Sequence, residues 1–144
     1  MANRYHQGIY IPKNPNKCLN KNRIIYRSSW ENTFCQYCDN NKSILQWASE
    51  SIAIPYMCPF KKKIARYIPD FFIIYLDRDG VKHAEIIEIK PNNQTGKIKT
   101  KSRNNAYAAV KNTAKFQAAE AYCAKQGISF RVLTENEIFH QGKV

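Results

Sequence analysis

Residues 70–90, DFFIIYLDRDGVKHAEIIEIK, leave the chain few choices. After its leading aspartate the run 70–76 is apolar on both faces, as in an interior strand of a sheet covered on both sides. Asp79–Gly80 supplies hairpin chemistry, because glycine takes the positive φ that a tight reversal demands. VKHAEIIEIK then returns as the partner strand. An antiparallel hairpin sets the start of the first strand beside the end of the second. Asp70 therefore comes near Glu88 and Lys90 at one edge of the sheet. Side chains alternate along a strand, so Glu88 and Lys90 share one face while Ile87 and Ile89 take the other. Glu85 falls opposite Glu88 and reads as solvent-facing or as half of an ordinary ion pair.

The rest of the pattern predicts an α-β-β-β-α-β-α order around this hairpin. A helix starts near Ser28 and ends by Asn40–Asn41, with Trp30, Phe34 and Tyr37/Cys38 on one apolar face. SILQWASESIAIPY (43–56) reads as a turn and then a short strand over 50–54, stopped by Pro55. FKKKIARYIP (60–69) reads as a charged connection. Residues 91–105 form a polar, basic loop. A long helix follows from about Arg103 to Lys125, with Ala109, Thr113, Phe116 and Cys123 on one side and Gly127 ending it as a C′ glycine. ISFRVL (128–133) is the last strand, and Thr134 with Glu137 caps a short closing helix. The fold class is α/β, a mixed central sheet flanked by helices. Residues 1–23, with Pro12 and Pro15, read as a basic arm with little regular structure, and 24–144 as one domain.

Charge decides the class of partner. Lys and Arg outnumber Asp and Glu by 23 to 11, a net charge of +12, which favours a polyanion and nucleic acid above all. The first 30 residues hold six Lys or Arg and no carboxylate, and residues 90–119 hold seven with none. No apolar run approaches the roughly 18 residues of a membrane span. MANRYHQGIY has no hydrophobic h-region, so secretion is not expected. The five cysteines (18, 35, 38, 58, 123) are expected to be reduced, with Cys35 and Cys38 buried on a helix rather than bound to zinc.

The chemistry lies in Asp70, Glu88 and Lys90. Two carboxylates that close repel each other unless a cation sits between them, and hard oxygen ligands suit Mg²⁺. A lysine two residues on orients water for attack on phosphorus and offsets phosphate charge. The plainer alternative makes these strand-end charges in solvent, with Glu88 paired to Lys90.

Proline before the aspartate (PD, 69–70), EIK at 88–90 and the element order resemble the PD-(D/E)xK nucleases, whose restriction-endonuclease-like core is αβββαβ. Four blocks in order narrow the likeness: YRSSWE (26–31), WASESIAIPY (47–56), YIPDF (67–71) and IEIKP (87–91). Together they resemble the head-completion nuclease family of contractile-tailed bacteriophages and, more distantly, the TnsA-type transposon endonucleases. The resemblance implies a Mg²⁺-dependent DNA endonuclease, with Mn²⁺ as a substitute, acting at head completion after DNA packaging. It implies that Asp70 and Glu88 hold metal, with Glu31 and the backbone carbonyl of Ile89 as further ligands, and that Lys90 positions the hydrolytic water. Ser28 and Glu31 also fit a capping box, so Glu31 has two candidate roles, of which the metal role is favoured. Glu50 is left outside the catalytic set, as a buttress or as a partner of Arg27 or Arg66.

DNA contact is expected from Arg66, Lys97, Lys99, Lys101, Arg103, Lys111 and Lys115, which neutralise phosphates without reading bases. The resemblance also implies portal, neck or head proteins as partners, and the host cytoplasm or the virion as the location. Two alternatives stand beside this reading: a structural head-completion or neck protein that binds DNA through a nuclease fold, and a transposon- or repair-type endonuclease.

Overall fold

The 70–90 hairpin lies at the centre of the sheet in the computed structural model, which describes residues 7–21, 23–91 and 103–136. Its strands are β6 (Phe71–Leu76) and β7 (Lys82–Ile89), with nine further elements among the described residues. They are β1 (Gly8–Tyr10), β2 (Ile24–Tyr26), α1 (Ser29–Asn40), β3 (Ile44–Ser49), β4 (Ile54–Cys58) and β5 (Lys63–Tyr67). A 3₁₀ turn (Pro15–Lys17), α2 (Arg103–Gln126) and β8 (Ser129–Leu133) complete them. The main sheet runs β3-β6-β7-β8. Its first two pairings are antiparallel, and β8 joins β7 in parallel after the α2 crossover. Turn residues fix the hairpin: Asp77 Oδ1 accepts from Asp79 N and Val81 N at 2.9 Å each, and Gly80 takes φ +79°.

Each face of the sheet meets one helix. On one side Trp30, Phe34, Cys35 and Cys38 of α1 pack with Trp47, Phe71, Ile73, Ile87 and Ile89. On the other, Ala119 and Cys123 of α2 pack with Ile86 and with Ile54, Tyr56 and Tyr67 of the β4–β5 hairpin. Alternation along β7 thus splits Ile86 and Glu88 from Ile87 and Ile89, as period two requires. α2 ends at Gly127, φ +72°, where Ile128 N donates to Cys123 O at 3.0 Å.

Several sequence expectations change. The strand anticipated at 50–54 lies instead at Ile44–Ser49, and Glu50 breaks it with a left-handed φ of +50°. The charged connection at 60–69 contains β5, paired with β4 from Ile54↔Tyr67 to Cys58↔Lys63. Pro55 is tolerated there because β4 pairs on one side only. The buried line of α2 runs through Asn112, Ala119 and Cys123, while Thr113 is exposed. Part of the arm is tied down. β1 pairs with β2, and Asp39 accepts from Tyr10 Oη and Lys13 N at 2.6 Å and from Asn14 N at 3.0 Å. All five cysteines are free thiols, four of them buried. Of the closing helix, Thr134 Oγ1 accepts from Asn136 N at 3.3 Å, and Glu137 lies outside the described residues.

Candidate active site

Register decides which charges meet. Phe71 pairs with Ile87, so Asp70 sits one step beyond it, level with Glu88. Asp70 Oδ2 accepts the Ile89 N–H at 2.8 Å, so the carboxylate caps the end of β7 where the strand ladder stops. On the other side of β7, Lys90 N donates to Leu133 O at 3.0 Å, which fixes the backbone that carries Lys90.

Glu88 is 3% exposed, and both its oxygens are engaged. Tyr67 Oη donates to Oε1 at 2.7 Å, and Lys90 Nζ stands 3.3 Å from Oε2. The Glu88–Lys90 pair of the plainer alternative therefore forms, but with Glu88 buried and Lys90 half-buried rather than both in solvent. Burial works against the Lys90 ammonium, and Glu88 and Asp70 more than offset it, holding its pKa above the ordinary lysine value. Glu85, on the opposite face, pairs with Arg131 at 3.2 Å.

Asp70 keeps part of its surface open, yet its carboxyl is pushed well above the usual range. Burial is the main cause, and Glu88 and Glu31 add repulsion that the Ile89 N–H and Lys90 only partly relieve. Glu31 is also raised, by burial first, with the Arg27 N–H opposing and Glu50 and Glu88 repelling it. Its cap is formed: Ser28 Oγ accepts from Glu31 N at 3.2 Å, and Glu31 Oε1 accepts from Arg27 N at 3.1 Å.

The donors suit a hard divalent cation. They are carboxylate oxygens in a partly desolvated pocket with more negative charge than Lys90 neutralises, and a cation would relieve that repulsion. They are not drawn onto a common point. Among the described residues no three His, Cys, Asp or Glu stand together as a ligand cluster, because Glu31 is turned to its cap and Glu88 to Tyr67 and Lys90.

Glu50 braces the pocket. Its backbone N–H donates to Asp70 O at 3.0 Å, and its carboxylate takes Arg27 at 2.9 and 3.2 Å. Of the two arginines considered for it, Arg27 is the partner. Arg66 is exposed on β5 and Arg103 at the start of α2, whereas Lys111 and Lys115 are half-buried. Lys97, Lys99 and Lys101 lie outside the described residues. Sequence reasoning passed over Tyr67, which holds Glu88, and the exposed Lys61, Lys62 and Lys63 at the β4–β5 turn. YIPD carried a faint signal for Tyr67: an aromatic with a polar tip, just ahead of the site aspartate.

A mixed sheet between two helices, with Asp70, Glu88 and Lys90 gathered at the end of its central hairpin, is the arrangement of a restriction-endonuclease-like protein. Residues 41–135 match the profile described as TnsA-like endonuclease N terminal. The chain is also 34% identical over 142 residues to the "Head completion nuclease" of Enterobacteria phage T4, spanning 91% of this chain and 92% of that protein. It belongs to the TnsA-like endonuclease family.

Proposed function

We propose that this protein is a metal-dependent DNA endonuclease that hydrolyses phosphodiester bonds and acts in phage head completion after DNA packaging. The observation that carries the chemistry is Glu88, a buried carboxylate level with Asp70 and paired to a charged Lys90. The stage of action is supported by the likeness to the T4 head-completion protein over 91% of the chain. Partners among head, neck or portal proteins, and assembly in the host cytoplasm, belong to the same proposal. Among the described residues no helix is long and apolar enough to cross a membrane.

Asp70 and Glu88 would hold the cation, Mg²⁺ with Mn²⁺ as a substitute, together with Glu31 and the Ile89 carbonyl. Such an ion stabilises charge that develops on the phosphate. The protein's own part is positioning. Tyr67 fixes the rotamer of Glu88, and Glu88 fixes Lys90. Lys90 would position the attacking water and offset charge on the phosphate oxygens; in-line attack forms the new P–O bond as the bond to the leaving oxygen breaks, the water's proton passing to solvent and the leaving oxygen taking one up. Arg66, Arg103, Lys111 and Lys115, with Lys97, Lys99 and Lys101 from the following loop, hold the backbone. The exposed Lys61, Lys62 and Lys63 extend this surface.

The test is cleavage of supercoiled plasmid with Mg²⁺, Mn²⁺ or EDTA. Wild type is expected to nick only with metal, and Glu88→Gln and Lys90→Ala to lose at least about a hundredfold in rate. If every form binds DNA and none cuts it, even on phage heads, the structural DNA-binding reading replaces this one.

A further inference from the structure

A second cation approaches the same carboxylates from α2. The Lys115 ammonium lies over two tyrosine rings, 5.5 Å from the centre of Tyr67 and 5.9 Å from that of Tyr56. Tyr56 and Tyr67 are both buried, so the rings are a fixed floor rather than mobile surface groups. Tyr67 is shared: its hydroxyl holds Glu88 while its ring face holds Lys115. One side chain thereby sets the spacing between a site carboxylate and a site cation.

Lys115 differs from Lys90 in how its charge is used. Lys90 is paired to Glu88, whereas Lys115 is half-buried and forms no ion pair with a described residue. It still senses Glu88 and Asp70 attractively and Lys90 repulsively, so it stands within electrostatic reach of all three. A half-buried ammonium is costly unless something recovers its hydration. Ring faces recover a part of that, and an anionic oxygen would recover more. Lys111, one turn before Lys115, and Tyr107, one turn before that and stacked on Phe60 at 4.0 Å, lie along the same helix face.

We propose that Tyr56, Tyr67 and Lys115 form a phosphate-binding cradle within the active centre, in which Lys115 takes a non-bridging oxygen of the phosphodiester being cut. This rests on the nuclease reading but assigns Lys115 a specific place, beside Lys90 at the reacting phosphate rather than along the outer DNA track.

The test reads phosphate binding separately from cleavage. Thymidine 3′,5′-bisphosphate is titrated into the full-length protein with Ca²⁺ present, followed by NMR. Wild type is compared with Lys115→Met, Lys115→Arg and, as a distant control, Lys82→Met. Loss of one charge-assisted contact predicts a Kd weakened by about tenfold to a hundredfold in Lys115→Met. Lys115→Arg is expected to restore binding to within about fivefold, Lys82→Met to match wild type, and all melting temperatures to agree. Binding by Lys115→Met as tight as wild type would overturn the cradle. So would equal loss in Lys115→Met and Lys115→Arg with a lowered melting temperature, which marks a packing role. If bisphosphate binding depends on Lys115 but plasmid is never cut, the cradle stands and the nuclease reading falls.

Discussion

At the first turn of α1, Glu31 accepts the Arg27 N–H while Glu50 and Glu88 repel its charge. Capping needs only an acceptor oxygen, whereas a metal ligand needs the carboxylate charge, so the two roles separate under substitution. Glu31→Gln is expected to unfold in urea within about 0.5 kcal/mol of wild type, and Glu31→Ala to lose about 1 kcal/mol by removing the bond to the Arg27 N–H at the helix N-terminus. Both should lose plasmid nicking if the charge is required; wild-type nicking by Glu31→Gln would assign Glu31 to the cap alone. Asp70, Glu88 and Lys90 were legible in the sequence because a single hairpin register places them. Tyr67 was not, and Lys115 was legible only as a DNA contact, not as a neighbour of Tyr67 at the site. Their meeting depends on the β4–β5 hairpin folding onto α2, a contact between segments far apart in the chain that no local pattern encodes.

Among the elements, α1 shows how the basic arm is held. Its C-terminal carbonyls at Cys38, Asp39 and Asn41 accept from Lys17 Nζ at 2.9, 3.1 and 2.8 Å, a cation where the helix dipole favours one. Asp39, 1% exposed, is a carboxylate at the unfavourable end, and its bonds to Tyr10, Lys13 and Asn14 outweigh the cost of burial. Its pKa is therefore depressed in the folded state. A depressed folded pKa gives stability that is present above the unfolded value, near 3.9, and is lost as pH falls through the folded value. Asp39→Asn is expected to unfold about 2 kcal/mol more easily at pH 7 and to lose less than wild type on acidification below about pH 4. Urea midpoints between pH 7 and pH 2.5 check it; parallel curves for the two proteins would deny Asp39 this role. Regular period marked α1, β7, α2 and β8 in the sequence, and a run apolar on both faces marked β6. β3 escaped because a register shift between Ile44 and Gln46 breaks its alternation, and β4 and β5 escaped because Pro55 and the lysine run look like loop chemistry.

Over the whole molecule the net charge is +12, while the candidate site gathers carboxylates. The net positive charge favours a polyanion, whereas at the site Glu88 and Glu31 repel the Asp70 carboxylate. Affinity and chemistry are thereby divided between different parts of the chain, and salt separates them. Each lysine that meets a phosphate contributes about 0.9 to the slope of log K against log salt. Lys61, Lys62 and Lys63 are exposed at the tip of the β4–β5 hairpin, whose β5 ends at Tyr67, the residue that holds Glu88. If DNA seated at the site runs along this hairpin, replacing all three with Gln should flatten the slope by about 2–3 while leaving single-turnover cleavage at saturating DNA unchanged. Fluorescence anisotropy across a salt series measures the slope. An unchanged slope would turn the hairpin away from DNA, and its exposed Met57 and Ile64 would then mark a face for a protein partner instead.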